Sequence, residues 1–387
     1  MRITFVGFNL WCGGAERAMS NMANYWAKKG WEITILTLIQ NRQPLCYDLH
    51  PDIEYHDLGY FEYSGEPDAE ISLSLAKETA LAEPSDAERA VLEEELGRLA
   101  MLRRAIIKSR PQAVIAFQHS LNVRVLLATR GLNIPVIVSE RSTPPHEIIK
   151  QTGWALLRLR LYPTATCLVT LTEEALSYFP EAVRGRGRVI PNLVLSPAAA
   201  GNGNEKRNGN GKVLMAMGRL APVKGFDLLL RAFALVAREH PSWSLEIWGE
   251  GLMRTELGSL AAELGITERV RLPGFTKHPH ATLRRADLFA MSSRYEGFPN
   301  ALCEAMACGL AAVSFDCPGG PRNIIRDGVD GVLVEAGSVT AMAASLNRLM
   351  GDEAERNRLG VRAREVVKRF DAEKIMAMWE RLILNES

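Results

Sequence analysis

At 387 residues the chain is too long for one ordinary hydrophobic core, and division into two domains is expected. Hydrophobic residues make up 47% and charged residues 24%, as in a soluble globular protein, and no apolar run reaches the ~18 residues of a membrane-spanning helix. The net charge of +1 speaks against binding nucleic acid with the whole chain. The charge is unevenly spread, however. Residues 48–95 hold fifteen acidic and two basic residues, whereas residues 97–160 hold eleven basic and two acidic ones, leaving a local basic face open to an anionic partner.

The N-terminus enters a strand at Ile3–Val6 at once and offers no separate signal peptide. A Gly-rich turn and a helix over Ala15–Lys29 follow, ended by Gly30, and then a strand over Ile33–Ile39. Strand, helix, strand within about forty residues is a βαβ unit. Ser85 and Glu88 form a capping box that starts a long helix running to Arg110, before Pro111. Its Leu99, Leu102 and Ile106 make a core-facing stripe. Ala113–Phe117, Val136–Ser139 and Cys167–Leu171 read as buried strands, and Val189–Asn192 closes this half.

Residues 198–211 are a low-complexity Gly/Asn-rich linker. A second βα series then opens with a strand at Val213–Met217 and continues through strands at Ser244–Trp248, Val270–Leu272, Leu288–Met291, Ala312–Phe315 and Gly331–Val334. Helices are expected at Phe226–Glu239, Leu252–Leu264, Ala281–Arg285, Ala301–Cys308, Pro321–Arg326 and along the tail 341–387. Two such series predict two doubly wound parallel-sheet α/β domains, with ligands at the carboxyl ends of the strands in a crevice between domains.

Three stretches carry chemistry. Gly13-Gly14 follows the first strand and precedes a helix, where a phosphate can meet backbone amides and the positive end of a helix dipole. The turn is no GxGxxG, and the second strand ends in Ile39-Gln40 without the acid that would hold a nicotinamide-cofactor ribose, so a dehydrogenase is disfavoured. Arg219 and Lys224 share the loop after the first strand of the second half, and two cations there can neutralise a departing diphosphate. Glu296 and Glu304 flank a strand-to-helix turn. The amides of Asn300, Ala301 and Leu302 make a second anion seat, Glu304 is placed to accept from ribose hydroxyls, and Glu296 stands before the turn, nearer the group being transferred.

His119 is expected at the end of the strand Phe117-Gln118-His119, as a site histidine or a merely structural one; His146 reads as a loop residue. No Asp-x-Asp occurs, so a metal-bridged diphosphate lacks its usual ligands, and Arg219, Lys224 and helix amides would take that work. The six cysteines, at 12, 46, 167, 303, 308 and 317, show no CxxC or zinc spacing and are expected to be reduced thiols acting as small apolar residues.

Gly13-Gly14-Ala15-Glu16, Gly218-Arg219-Leu220 with Lys224-Gly225-Phe226-Asp227, and the E-x7-E pair Glu296/Glu304, in that order over nearly the whole chain, resemble the retaining glycosyltransferases of family 4 with the GT-B fold. Ser139-Glu140-Arg141 is similar to the bacterial branch that builds lipid-linked oligosaccharide, O-antigen and exopolysaccharide. The resemblance implies an acceptor-binding Rossmann-like domain over 1–195, with the helix 372–387 packed back on it, and a donor-binding domain over 196–371, facing a cleft.

It also implies a nucleotide-sugar donor, UDP-linked, with no cofactor or metal, and a glycan acceptor, lipid-linked. By resemblance Arg219 and Lys224 bind the donor diphosphate, Glu304 the ribose, backbone near Gly274-Phe275 the base, and Glu296 and His119 lie by the donor sugar; Gly13, Gly14 and the amides of Asn300, Ala301 and Leu302 are expected to bind the donor as well. The mechanism implied is front-face attack with the departing phosphate taking the acceptor proton; the residues alone leave Glu296 open as a nucleophile. The location implied is cytoplasmic, at the inner face of the membrane; on the residues alone, Arg98, Arg103, Arg104, Lys108 and Arg110 either meet anionic lipid there or merely offset the acidic stretch 48–95. Two alternatives remain open: an epimerase or phosphorylase-like enzyme on the same fold, and a non-catalytic nucleotide-sugar-binding subunit.

Overall fold

The computed structural model describes residues 1–62, 84–142, 152–197 and 211–384. His146 and nearly all of the 198–211 linker lie outside the described residues. The chain divides into two compact units, Met1–Pro191 with Met378–Ser387, and Asn192–Ala377.

In the first unit the strands are β1 (Arg2–Gly7), β2 (Glu32–Thr37), β3 (Ile53–Asp57), β4 (Ala113–Phe117), β5 (Val136–Ser139), β6 (Cys167–Thr170) and β7 (Gly187–Val189). Among the described residues the helices are α1 (Gly14–Lys28), α2 (Asp86–Lys108), α3 (His119–Ala128), α4 (Gly153–Leu161), α5 (Glu173–Ser177) and α6 (Glu181–Arg184). The sheet order is β3-β2-β1-β4-β5-β6-β7, parallel throughout. The central strands β4, β5 and β6 are buried at every residue, as apolar runs between two helical layers must be.

α2 begins at the Ser85/Glu88 capping box, both halves of which form, and its Leu99, Leu102 and Ile106 are fully buried, each worth about 2 kcal/mol of apolar burial. Arg103 on the same helix was expected on an exposed basic face, but it is buried. Its guanidinium donates to the carbonyls of Ala128, at 3.0 Å, and Arg130, at 2.6 Å, at the end of α3. Arg98 pairs with Glu94 and Glu95. Arg104, Lys108 and Arg110 stay exposed.

The expectation of six reduced thiols also fails, because Cys12 and Cys46 form a disulfide. β1 and β2 are sheet neighbours, so the loops leaving their carboxyl ends lie side by side, and Cys46 N–H donates to Leu10 O at 3.1 Å. Gln40, where a nicotinamide-cofactor site would carry its acid, accepts from Leu10 N–H at 2.9 Å through its side chain. The other four cysteines are thiols; burial pushes Cys167 and Cys308 up to about 11 and Cys317 up to about 12.

The second unit holds β8 (Lys212–Met217), β9 (Trp243–Trp248), β10 (Val270–Gly274), β11 (Leu288–Met291), β12 (Ala312–Phe315) and β13 (Val332–Val334). Its helices are α7 (Phe226–Val236), α8 (Arg254–Glu263), α9 (Pro279–Leu283), α10 (Asn300–Ala307) and α11 (Pro321–Ile324). The helical tail expected over 341–387 is α12 (Val339–Gly351), α13 (Glu353–Ala363), α14 (Val366–Arg369) and α15 (Ala372–Leu384). α15 runs past the division at Met378 into the residues of the first unit.

The sheet order β10-β9-β8-β11-β12-β13 is the doubly wound 3-2-1-4-5-6 arrangement, and the first unit follows the same order with one strand more. In such a sheet the winding reverses between the first and fourth strands, and loops at their carboxyl ends are left uncovered by crossover helices. The reversal falls between β1 and β4 in the first unit and between β8 and β11 in the second.

Candidate active site

Lys224 and Glu296 come from the two loops that flank the reversal in the second unit. Lys224 ends a 3-10 turn, Pro222–Lys224, in the loop after β8, and its ammonium lies 2.6 Å from Glu296 Oε1 in the loop after β11. Ser293 Oγ donates to the same carboxylate oxygen at 2.6 Å. Glu296 N–H donates to Pro318 O at 3.0 Å, which ties this loop to the one after β12. Cys317, beside the pair, has its thiol raised by burial and by the Glu296 charge. Arg219 lies in the same β8 loop, is exposed, and makes no ion pair among the described residues.

The segment Gly297–Pro299 turns into α10, with Pro299 as its N-cap and no side-chain cap. Ala301 and Leu302 stand in the first turn, where amides have no intrahelical acceptor. The Asn300 side chain accepts from Asn192 Nδ2 at 2.9 Å. Glu304, one turn in, is 8% exposed. Gly274 ends β10 at φ +100, a conformation glycine supplies, and its carbonyl accepts from Gly249 N–H at 2.8 Å; Phe275 beside it is 45% exposed. Arg219, Lys224, Gly274, Glu296 and the α10 N-terminus thus all stand at carboxyl ends of strands of one sheet.

In the first unit, Gly13 caps α1 without a side-chain bond, and Arg17 N–H donates to Gly13 O at 3.0 Å. The Gly13 amide, expected to be open to a phosphate, instead donates to Trp11 O at 3.0 Å. The Glu16 carboxylate lies over this turn, since an ideal Cβ on Gly13 would meet Glu16 Oε2 at 2.1 Å. A carboxylate at a helix N-terminus uses the same electrostatics that a phosphate would. Gln118 Nε2 reaches Glu16 Oε1 at 3.4 Å, joining the loop after β4 to the first turn of α1.

His119 was expected to end a strand. The strand stops at Phe117, Gln118 turns at φ +78, and His119 is the first residue of α3. Burial pushes its imidazole below the ordinary histidine range; the Glu140 charge works against this, and those of Arg158 and Arg124 add to it. Glu140 is itself paired with Arg158 at 2.9 Å and accepts from Tyr162 Oη, and Arg124 pairs with Glu95 at 2.8 Å. Arg141 sets its guanidinium 4.7 Å over the Phe117 ring and 5.6 Å over that of Trp379.

Sequence reasoning passed over Ser293, Arg294 and the pairing of Asp227. Arg294 forks onto Asp227 at 2.9 and 2.8 Å, so the two loops of the site are joined by charge as well as by Lys224 and Glu296. Ser292-Ser293-Arg294 directly precedes Tyr295-Glu296, and that adjacency was the available signal. Among the described residues no three His, Cys, Asp or Glu side chains gather where they could hold a metal ion.

Residues 13–192 match the glycosyl transferase 4-like domain family, and residues 202–366 match the glycosyl transferases group 1 family. Between them these cover most of the chain. An alpha-1,4-N-acetyl-D-galactosaminyltransferase of Campylobacter jejuni, whose name gives its acceptor as a GalNAc-GalNAc-diNAcBac-PP-undecaprenol, is 26% identical over 99% of this chain and 98% of its own. An exopolysaccharide phosphotransferase of Streptomyces coelicolor is 37% identical over 249 residues, 64% of this chain; the match spans only 26% of that longer protein. Anabaena HepE, solved in complex with UDP-glucose, superposes with a TM-score of 0.78 at 18% identity over 100% of both chains. The chain belongs to the GT-B glycosyltransferases of the family 4 type, in the branch with relatives in bacterial glycan assembly.

Proposed function

We propose that the protein transfers a sugar, with retention, from a UDP-linked donor held by the second unit to a lipid-linked glycan in bacterial surface polysaccharide assembly. The observation that carries this reading is the Lys224–Glu296 pair at the reversal of the second sheet. The Campylobacter relative supports the acceptor class by its name, and the UDP and UDP-glucose complexes of HepE support the donor class.

Lys224 and Arg219 stabilise the charge that grows on the β-phosphate as the glycosidic bond breaks, and the first-turn amides of α10 add to this. Glu304 accepts from the ribose, and backbone at Gly274-Phe275 holds the base. Gly13 and Gly14, expected at the donor phosphate, and His119, expected beside the donor sugar, belong to the first unit, which takes the acceptor. The Glu296 oxygen that receives the Lys224 ammonium also receives the Ser293 hydroxyl. A carboxylate so neutralised is a poor nucleophile, which favours a positioning role and front-face attack, the departing phosphate taking the acceptor proton.

The reaction needs no metal or cofactor, because cations of the chain carry the leaving charge. The protein works peripherally at the inner face of the membrane, where exposed Arg104, Lys108 and Arg110 meet anionic lipid at about 1 kcal/mol each, screened by salt.

The test is a thermal-shift screen of nucleotide sugars, followed by product mass on a polyprenyl-diphosphate-linked acceptor with and without a strong chelator. Stabilisation by a UDP-sugar and a one-sugar mass gain that survives chelation are expected. No nucleotide-sugar binding, or activity that returns only with magnesium or manganese, contradicts the corresponding part of the proposal.

A further inference from the structure

We propose that Arg294, locked by Asp227, is a positioning residue that presents Lys224 to the diphosphate of the donor; this rests on the function proposed above. Arg294 grips the Lys224 loop on both sides, by its guanidinium and its backbone N–H. Before Lys224, Arg294 Nη1 donates to Pro222 O at 2.6 Å and Arg294 N–H donates to Val223 O at 2.8 Å. After it, Nη1 and Nη2 donate to the two oxygens of Asp227 at 2.9 and 2.8 Å. Between these grips Ser292 Oγ donates to the Lys224 carbonyl at 3.0 Å.

The turn itself is closed by Lys224 N–H onto Ala221 O at 2.9 Å and Gly225 N–H onto Pro222 O at 3.1 Å. The backbone of Lys224 is therefore fixed from the opposite loop, while its side chain ends on Glu296.

The chemistry explains why such fixing matters. A lysine has a long stem with about 2 kcal/mol of rotamer entropy, and a cation acts on developing charge only as far as it is held in place beforehand. A bidentate arginine–carboxylate pair supplies direction as well as charge, which a lysine at the same place would not. Burial works to raise the Asp227 carboxyl, but the hydrogen bonds and charge of Arg294 outweigh it and hold it below the usual carboxylate range. The pair is thus charged throughout the neutral range. An exposed ion pair alone contributes little to stability, so its position around Lys224 is the feature that calls for a role.

The experiment is calorimetric titration of the full-length protein with UDP, for wild type, Arg294→Ala, Arg294→Lys, Asp227→Asn and Lys224→Ala, and for Arg294→Ala and Asp227→Asn in the Lys224→Ala background. The expected result is that Arg294→Ala and Asp227→Asn each weaken UDP binding about tenfold and Arg294→Lys less. In the Lys224→Ala background the same changes weaken it less than twofold, because they act through the lysine.

A purely structural pair would give the same loss in both backgrounds, and that result, or no loss in the wild-type background, overturns the positioning role while leaving the donor assignment standing. Failure of the wild type itself to bind UDP overturns the donor assignment and the role with it. Asp227→Asn preserves shape, so the comparison holds even where Arg294→Ala does not fold.

Discussion

An ideal Cβ built on Gly225 would lie 2.0 Å from the carbonyl oxygen of Ser292. Gly225 also turns at φ +59, so two independent constraints reserve this position for glycine. The close approach lets the loops after β8 and β11 meet, and through it Lys224 reaches Glu296. Gly225→Ala is expected to cost about 2–4 kcal/mol, combining left-handed strain with displacement of one loop, and to weaken UDP binding with it. Urea unfolding and UDP titration of the variant check this; a wild-type midpoint and affinity would mean the loops can part without consequence.

The Cys12–Cys46 disulfide clips the loop before α1 to the loop after β2 across 34 residues. A loop of that length predicts about 2–4 kcal/mol of stabilisation by restriction of the unfolded chain. A strong dithiol reductant should lower the stability of the wild type by that amount and leave Cys46→Ser, already lower, unchanged. Thermal melts of both proteins with and without reductant decide it. Equal sensitivity of the two proteins would place the effect elsewhere.

His119 should make stability fall on mild acidification. Its folded-state pKa lies below its unfolded value, with burial as the main cause, so the unfolded chain takes up the proton first. The stabilisation is present above the unfolded value of about 6.5 and is lost as pH falls below it. His119→Gln is expected to flatten the loss of stability between about pH 7 and pH 5. Chemical denaturation across that range tests it; identical slopes for variant and wild type would contradict the assignment.

The central strands were legible because each is a short, mostly apolar run buried on both faces. β4, β5, β11 and β12 match the sequence reading to the residue. β3 and β7 were missed, and both are edge strands: Ile53–Asp57 places a half-exposed tyrosine, a histidine and two acids at water, and Gly187–Val189 is only three residues long. α3 was missed because it is buried on every side from Leu121 to Ala128, polar Asn122 and Arg124 included, so no amphipathic period marks it, and its N-cap, Gln118, is held by the β5 carbonyl of Ser139 instead of by a capping side chain.

The site residues Lys224, Glu296 and Glu304 stood out by charge at strand ends. Their partners did not. Arg294 meets Asp227 across 67 residues, and Cys12 meets Cys46 across 34, only because the sheet order makes β8 and β11, and β1 and β2, neighbours. No local spacing encodes such meetings. Arg103 misled because a basic residue at a helix end reads as surface, whereas here two carbonyls at the end of α3 satisfy it inside.

The central claim is that Lys224 and Arg219 stabilise a departing diphosphate while Glu304 holds the ribose. Turnover of the UDP-sugar found by the screen, in wild type and in Lys224→Ala, Arg219→Ala and Glu304→Ala, tests it most directly. The account predicts that Lys224→Ala and Arg219→Ala each lose on the order of 10²–10³-fold in kcat, and that Glu304→Ala chiefly raises the donor KM. Near-normal kcat in both cation variants would contradict it.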